Sequence, residues 1–331
     1  MIRIFLLILT ISQAFADNKE NLLKITEIKR FAFGSCSDQK DPQPIWKEVS
    51  KDAPDLFIHG GDNIYADTKD LSVLKAAWNS QLIQTDYAAF RKVTPLIGIW
   101  DDHDFASNDS DGNLPIKKES KELFLDWMEE PLDSPRRNHE GIYTSHTFGT
   151  GDRRIKFILL DNRYFRNLEK NAPLLGETQW KWLENELKDS TAAIHFIVSG
   201  ISVLSKKIPR SDAWINYPGE HKRILKTVNN SGAKGIVFLT GDKHFASIFR
   251  RDGHLEFLSS GLTHNRALWM QPFLSIFYPN TTHQLNYGLV DISWTGNIPT
   301  LRMAIKNKKG KVTHGETFTL KGNSWMPVNP L

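Results

Sequence analysis

A single cysteine, Cys36, in 331 residues excludes any intrachain disulfide. It also lies too far into the chain to carry the lipid of a lipid-anchored mature protein. Charge of one sign is scarce as well: 42 basic against 38 acidic side chains leave a formal net charge of +4, and no basic cluster is interleaved with aromatic residues. A dedicated nucleic-acid partner therefore finds no support, and so small a charge argues for no particular anionic substrate. No apolar run approaches the roughly 20 residues of a membrane span. Internal repeats, low-complexity tracts and long linkers are lacking too, so residues 17–331 are expected to form one domain.

With 40% hydrophobic and 24% charged residues the chain has the material of a globular core. Its start, MIRIFLLILTISQAFA, joins Arg3 to an apolar stretch from Ile4 to Ile11 and the small-residue ending Ala14-Phe15-Ala16. This pattern predicts a secretory signal over residues 1–16, cleavage near Ala16, and a monomer exported to the periplasm or the extracellular space. In an exported protein a lone cysteine defaults to a small buried hydrophobe.

Short apolar runs alternate with helical patterns. Arg30–Gly34, Asp55–Gly60, Pro95–Trp100, Ile155–Asp161, Ile194–Gly200 and Gly235–Asp242 read as buried strands, and Asp70–Lys92, Lys117–Glu130, Glu177–Lys188 and Gly219–Asn229 as helices. The alternation predicts an α/β architecture. Asp252-Gly253 and Asn307–Gly310 mark hairpins, so antiparallel strands are expected in the C-terminal third.

Polar residues cluster after the strands. Gly34 leads into Ser35-Cys36-Ser37-Asp38, Gly60-Gly61 into Asp62 and Tyr65, Trp100 into Asp101-Asp102-His103-Asp104 and Asn108, and Gly241 into Asp242 and His244. Ligands of open α/β sheets bind beyond the carboxyl ends of the strands, so these loops are expected to converge. Thiol, phenol, carboxylate, amide and imidazole are metal-ligand types, and clustered carboxylates without a cation would repel one another.

The ordered series GSCSDQ, GDNIYAD, IWDDHDFASND, LLDNRYFR, LGETQWKWLENEL, IVSGISVL, GDKH and SSGLTH resembles the PhoD-like alkaline phosphatases, a branch of the metallophosphoesterases, over roughly Arg30 to Arg302. The resemblance implies a four-layer α/β/β/α metallophosphatase sandwich with two mixed β-sheets and the metal site at one edge. It implies Asp62 as a bridging ligand, Tyr65 and Cys36 as ligands to Fe(III), and Asn108 and Asp242 as oxygen ligands to Ca2+, with Zn2+ or another divalent pair as the alternative. A thiolate and a phenolate suit a Lewis-acidic transition metal, and amide and carboxylate oxygens suit calcium. His244 completes a metal shell or bonds the substrate. Asp102 and His103 are expected in catalytic roles, with His103 beside the metals or facing substrate. Arg163 is assigned to substrate phosphate, with pairing to Asp161 or another acid as the alternative, and Arg166 is a second candidate.

The implied activity is hydrolysis of a phosphate ester by a metal-bound hydroxide. The alternatives are a phosphodiesterase or phospholipase D-type enzyme on the same fold, or a phosphate-ligand binding protein without catalysis. Asn108 also opens an Asn-Asp-Ser glycosylation sequon, which a buried ligand could not use. Glu177–Leu187 reads as an amphipathic helix with Trp180, Leu183 and Leu187 on its core face. Two residues depart from the family pattern: His59 before the glycines, where an apolar residue is expected, and Lys243 inside GDKH.

Overall fold

The structure, a computed structural model, describes residues 18–169, 173–206, 212–265, 278 and 281–328. The expected signal segment 1–16 lies outside the described residues. Among these, no helix is long and apolar enough to cross a membrane.

Among the described residues, thirteen strands form two sheets. The first has the order β13-β12-β11-β10-β1-β2-β3, with β1 (Arg30–Gly34), β2 (Leu56–Gly60), β3 (Leu96–Ile99), β10 (Asn286–Thr295), β11 (Ile298–Asn307), β12 (Val312–Lys321) and β13 (Ser324–Pro327). The second has the order β4-β5-β6-β7-β9-β8, with β4 (Thr144–Phe148), β5 (Ile155–Leu159), β6 (Ile194–Ser199), β7 (Ile236–Thr240), β8 (Ala246–Arg251) and β9 (His254–Ser259). Both are mixed: β1, β2 and β3 run parallel while β10 is antiparallel to β1. β5, β6, β7 and β9 run parallel, flanked by antiparallel β4 and β8.

The layers follow from where apolar side chains point. Edge-to-face contacts of Phe31 with Phe157 and Phe196, and of Phe33 with Phe257, join the inner faces of the two sheets. On the outer face of the first sheet, Phe57 meets Trp46 and Phe90, which belong to the helices Ile45–Lys51 and Thr85–Arg91. On the outer face of the second, Ile158, Ile197 and Phe238 pack with Trp180, Leu183 and Leu187 of the helix Gly176–Leu187 and with Ile224 and Val228 of the helix Pro218–Asn230. Helices thus cover both sheets, giving the four-layer arrangement. Strands buried on both faces explain why β2, β6 and β7 read as mainly apolar runs, with His59 and His195 as buried exceptions.

Three expectations need correction. The helix expected over Asp70–Lys92 is two helices, Leu71–Leu82 and Thr85–Arg91, broken where Gln84 turns its amide to the Gln39 carbonyl at 2.6 Å. Nothing in the apolar spacing marks that tertiary bond. β4 is an additional strand, polar and half-buried or exposed up to Phe148, which removes the apolar signal. The helix Ile45–Lys51 is likewise additional. The Asp252-Gly253 hairpin forms as expected, with φ of 52° and 83° at its two loop residues.

Candidate metal centre

Backbone hydrogen bonds stitch the carboxyl ends of the two sheets together. Leu262 and Thr263, just after β9, donate to the carbonyls of Ser35 and Cys36, just after β1. Cys36 N in turn donates to Gly61 O, and Ser37 N to Asp62 O. Glycine permits this approach: a Cβ on Gly200, after β6, would lie 2.5 Å from Asp101 Oδ1. Gly61, at φ +99°, would place its Cβ 2.7 Å from that of Asp101. The sharp turn after β2 therefore needs glycine both for its backbone angle and for space.

Cys36, Asp62, Asp242 and His244 all adopt left-handed backbone, with φ of 63°, 49°, 69° and 59°. Non-glycine residues take this region at a cost, and such outliers gather at functional sites. The surrounding bonds hold them there. Asp104 Oδ1 accepts from Asn63 N at 2.7 Å and Ile64 N at 3.0 Å, fixing the turn that follows Asp62. Ser260 Oγ accepts from His244 N at 2.8 Å and lies 3.1 Å from Cys36 Sγ.

Two sets of donor atoms share Asp62. Cys36, Asp62 and His244 form one set; Asp62, Asp102 and His103 form the other, with the donor atoms of each within 4.8 Å of one another. Tyr65 OH donates to Asp62 Oδ2 at 3.2 Å and lies 3.2 Å from His244 Nε2, so the phenol belongs with the first set. The Cys36 thiol reaches the same Oδ2 at 3.4 Å. Asp62 Oδ1 is buried and has no hydrogen-bond partner. A carboxylate oxygen so placed, among thiol, phenol and imidazole, fits a metal ion.

The electrostatics agree. Burial raises the Asp62 carboxyl well above its ordinary range, and the neighbouring Cys36, Asp102, Asp101 and Asp104 charges push it further. Burial lifts the Cys36 thiol to about 11 and the Tyr65 phenol well above its usual value. Asp102 differs: burial opposes its charge, but Arg163 and His103 outweigh that and hold it below the usual carboxylate value. A cation among these groups would reverse the rise at Asp62, Cys36 and Tyr65.

The remaining expected residues fall as follows. His103 Nδ1 donates to Asp67 Oδ1 at 2.7 Å, the kind of carboxylate contact that orients ligand imidazoles. Arg163 is fully buried; its guanidinium meets Asp101, Asp102 and Asp212, with Nη1 3.3 Å from Asp212 Oδ2. Arg166 reaches the same Asp212 oxygen at 3.0 Å. Both arginines thus lie within ion-pair distance of acids other than Asp161, while Arg163 Nη1 and Nη2 and Arg166 Nη1 have no hydrogen-bond partner. Asp161 instead accepts from Trp100 Nε1 and from the backbone of Ile142, Arg163 and Tyr164.

Asn108 is exposed, its amide donating to Asp109 Oδ2 at 2.9 Å, so the buried position expected for it is not observed and its sequon is open to solvent. Asp242 Oδ2 lies 3.0 Å from Lys243 Nζ, and Asp242 is in neither donor set. His59 packs in an aromatic layer with Phe57, Trp46, Tyr87 and Trp127, on the helix-covered face of the sheet.

Sequence reasoning missed Ser260, Asp67, Asp212 and His264. His264 stacks on Tyr65 at 4.3 Å, opposite His103 at 4.2 Å, so two imidazoles flank the phenol. The SSGLTH segment contained Ser260 and His264, but neither residue type at that spacing marks a metal site by itself.

Alkaline phosphatase D of Bacillus subtilis (strain 168) is 28% identical over 268 residues, 65% of this chain and 45% of that protein. This match spans less than half of the relative's length. The solved structure of PhoD is similar with a TM-score of 0.72 at 19% identity, over 92% of this chain and 72% of that one. A dimetal phosphatase from Danio rerio gives 0.56 at 12% identity, over 91% of this chain and all (100%) of that one. Both likenesses bear out the four-layer fold. The family model described as PhoD-like phosphatase matches residues 31–267, the stretch that carries both donor sets, and the chain accordingly belongs to the PhoD-like phosphatase family.

Proposed function

We propose that the protein is an exported, metal-dependent phosphoester hydrolase. The observation that carries this reading is Asp62: one carboxylate shared by two sets of ligand-type side chains, with a buried oxygen that nothing else satisfies. Cys36, Asp62, Tyr65 and His244 would hold one ion, for which Fe(III) suits the thiol and phenol. Asp62, Asp102 and His103 would hold a divalent partner. Metal ions bound there supply Lewis acidity toward phosphoryl oxygens and water.

The chain's own residues set the geometry. Asp67 orients the His103 ring, Ser260 ties Cys36 to the His244 backbone, and Asp104 fixes the turn of Asp62. Arg163 acts through Asp101 and Asp102, keeping Asp102 ionised for a ligand role. It is a positioning residue, since its guanidinium has no exposed atom with which to meet a substrate.

This reading leaves out the calcium cage implied by the resemblance. Asn108 is turned onto Asp109, and Asp242 is paired with Lys243. Metal analysis of purified protein, together with a panel of phosphate monoesters and diesters, tests the proposal. Bound metal with turnover on either ester class is expected. Full metal occupancy without turnover on any ester would favour the binding-protein reading.

A further inference from the structure

Lys243 lies between two left-handed residues, Asp242 and His244, and is 1% exposed. Its ammonium sits 3.0 Å from Asp242 Oδ2 and also donates to the Asp212 backbone carbonyl. Asp212 is the residue whose carboxylate engages both Arg163 and Arg166. Lys243 therefore fastens the loop after β7 to the segment that anchors both arginines. A buried ammonium is tolerated only where it is paired, and here the partner is an acid at the edge of the metal centre.

The Asp242 charge is felt across that centre. It raises the Cys36, Asp101 and Asp212 groups, each already raised chiefly by burial, while the Lys243 charge lowers Asp212. Unpaired, Asp242 would be an open carboxylate beside Asp101 and Asp212, the setting in which a divalent cation binds. With the ammonium on Oδ2, a metal ion on the same carboxylate would face a fixed, buried positive charge at close range.

We propose that the Lys243 ammonium takes the place of a metal ion beside Asp242, so that this centre loads metal only around Asp62. The inference rests on the metal-dependent reading above and adds its stoichiometry. A lysine cannot be removed by chelation and cannot polarise a phosphoryl oxygen as a metal does. It neutralises Asp242 and leaves Lewis-acid work to the two donor sets that share Asp62.

The test counts ions. The full chain is stripped with a chelator and reloaded with iron and then calcium. Loose metal is removed by gel filtration, and bound metal per chain is measured by mass spectrometry for the wild type, Asp242→Asn, Lys243→Met and the Lys243→Met/Asp242→Asn double variant. Lys243→Met is expected to hold one further equivalent of calcium, lost again in the double variant, while Asp242→Asn alone matches the wild type. Equal counts in a folded Lys243→Met and the wild type would overturn the inference. So would loss of an equivalent in Asp242→Asn, a comparison that stands even if Lys243→Met fails to fold. A wild type that loads no ion at all would overturn the metal-dependent reading, and the inference with it.

Discussion

Tyr65 and Asp62 meet through the phenol oxygen and Oδ2, 3.2 Å apart, on a turn whose first residue is left-handed. Cys36 reaches the same oxygen from a strand end in the parallel neighbour, so one carboxylate collects a phenol and a thiol from two loops. If this junction holds Fe(III), charge transfer from phenolate and thiolate gives the protein visible colour. Tyr65→Phe and Cys36→Ser should each shift or remove part of that absorption with the fold intact, since neither changes side-chain volume much. A colourless, fully active protein containing zinc and no iron would refute iron at this position.

Asp62→Asn should lower turnover by about three orders of magnitude or more and reduce bound metal, because the shared ligand of both sets is lost. Asparagine tolerates left-handed backbone, so the turn at φ 49° should survive. Kinetics beside metal counts check this; near-normal turnover would refute the shared-ligand assignment.

Arg163→Lys should cost stability, about 3 kcal/mol by the general behaviour of broken buried pairs, because a planar guanidinium serves Asp101, Asp102 and Asp212 together. Its effect on catalysis should fall on kcat, with KM for a phosphate ester changed by less than about twofold, since the side chain has no exposed surface. Steady-state kinetics separate the two, and a tenfold rise in KM would place the guanidinium on the phosphate.

His59, on the helix-covered face of the sheet, supplies a pH dependence of stability. Burial among aromatic rings, with the Arg91 charge nearby, depresses it from 6.5 to about 3, so it folds neutral. The unfolded chain takes up a proton below 6.5 that the folded chain refuses until about 3. Stability from this group is therefore complete above that upper value and declines as pH falls, by about 2 kcal/mol at pH 5. His195, depressed to about 4 by burial, contributes a parallel decline. Denaturant unfolding of His59→Leu should show a shallower loss between pH 7 and pH 5 than the wild type. An unchanged slope would show that His59 does not titrate in this way.

The parts of this protein that were legible in its sequence are those that repeat a local rule. Apolar runs buried on both faces identified β1, β2, β3, β5, β6 and β7, and the polar clusters behind them located Cys36, Asp62, Asp102, His103 and His244. Partners set by long-range contact were hidden. Asp212 lies in a stretch with no pattern, yet it joins Arg163 and Arg166; Asp67 reads as an ordinary loop acid until the fold brings His103 to it. His59 departs from the family pattern in sequence and proves to be a packing residue. A Cβ at Gly98 would lie 2.6 Å from the His59 Cβ, so the neighbouring strand makes room for the ring.

The position of β1 also bears on biosynthesis. This strand supplies Cys36 yet pairs on one side with β10, Arg30 lying opposite Asp291. The ribosome must therefore run 261 residues past Arg30, to Asp291, before β10, the fourth strand from that sheet's far edge, can join its parallel half. Contacts of such sequence separation slow folding, since the intervening chain must be closed before they form. Until β10 arrives, β1 presents an unpaired apolar edge to other chains. A nascent polypeptide held extended by a chaperone or a translocation channel avoids that exposure, and one truncated before residue 286 keeps it permanently.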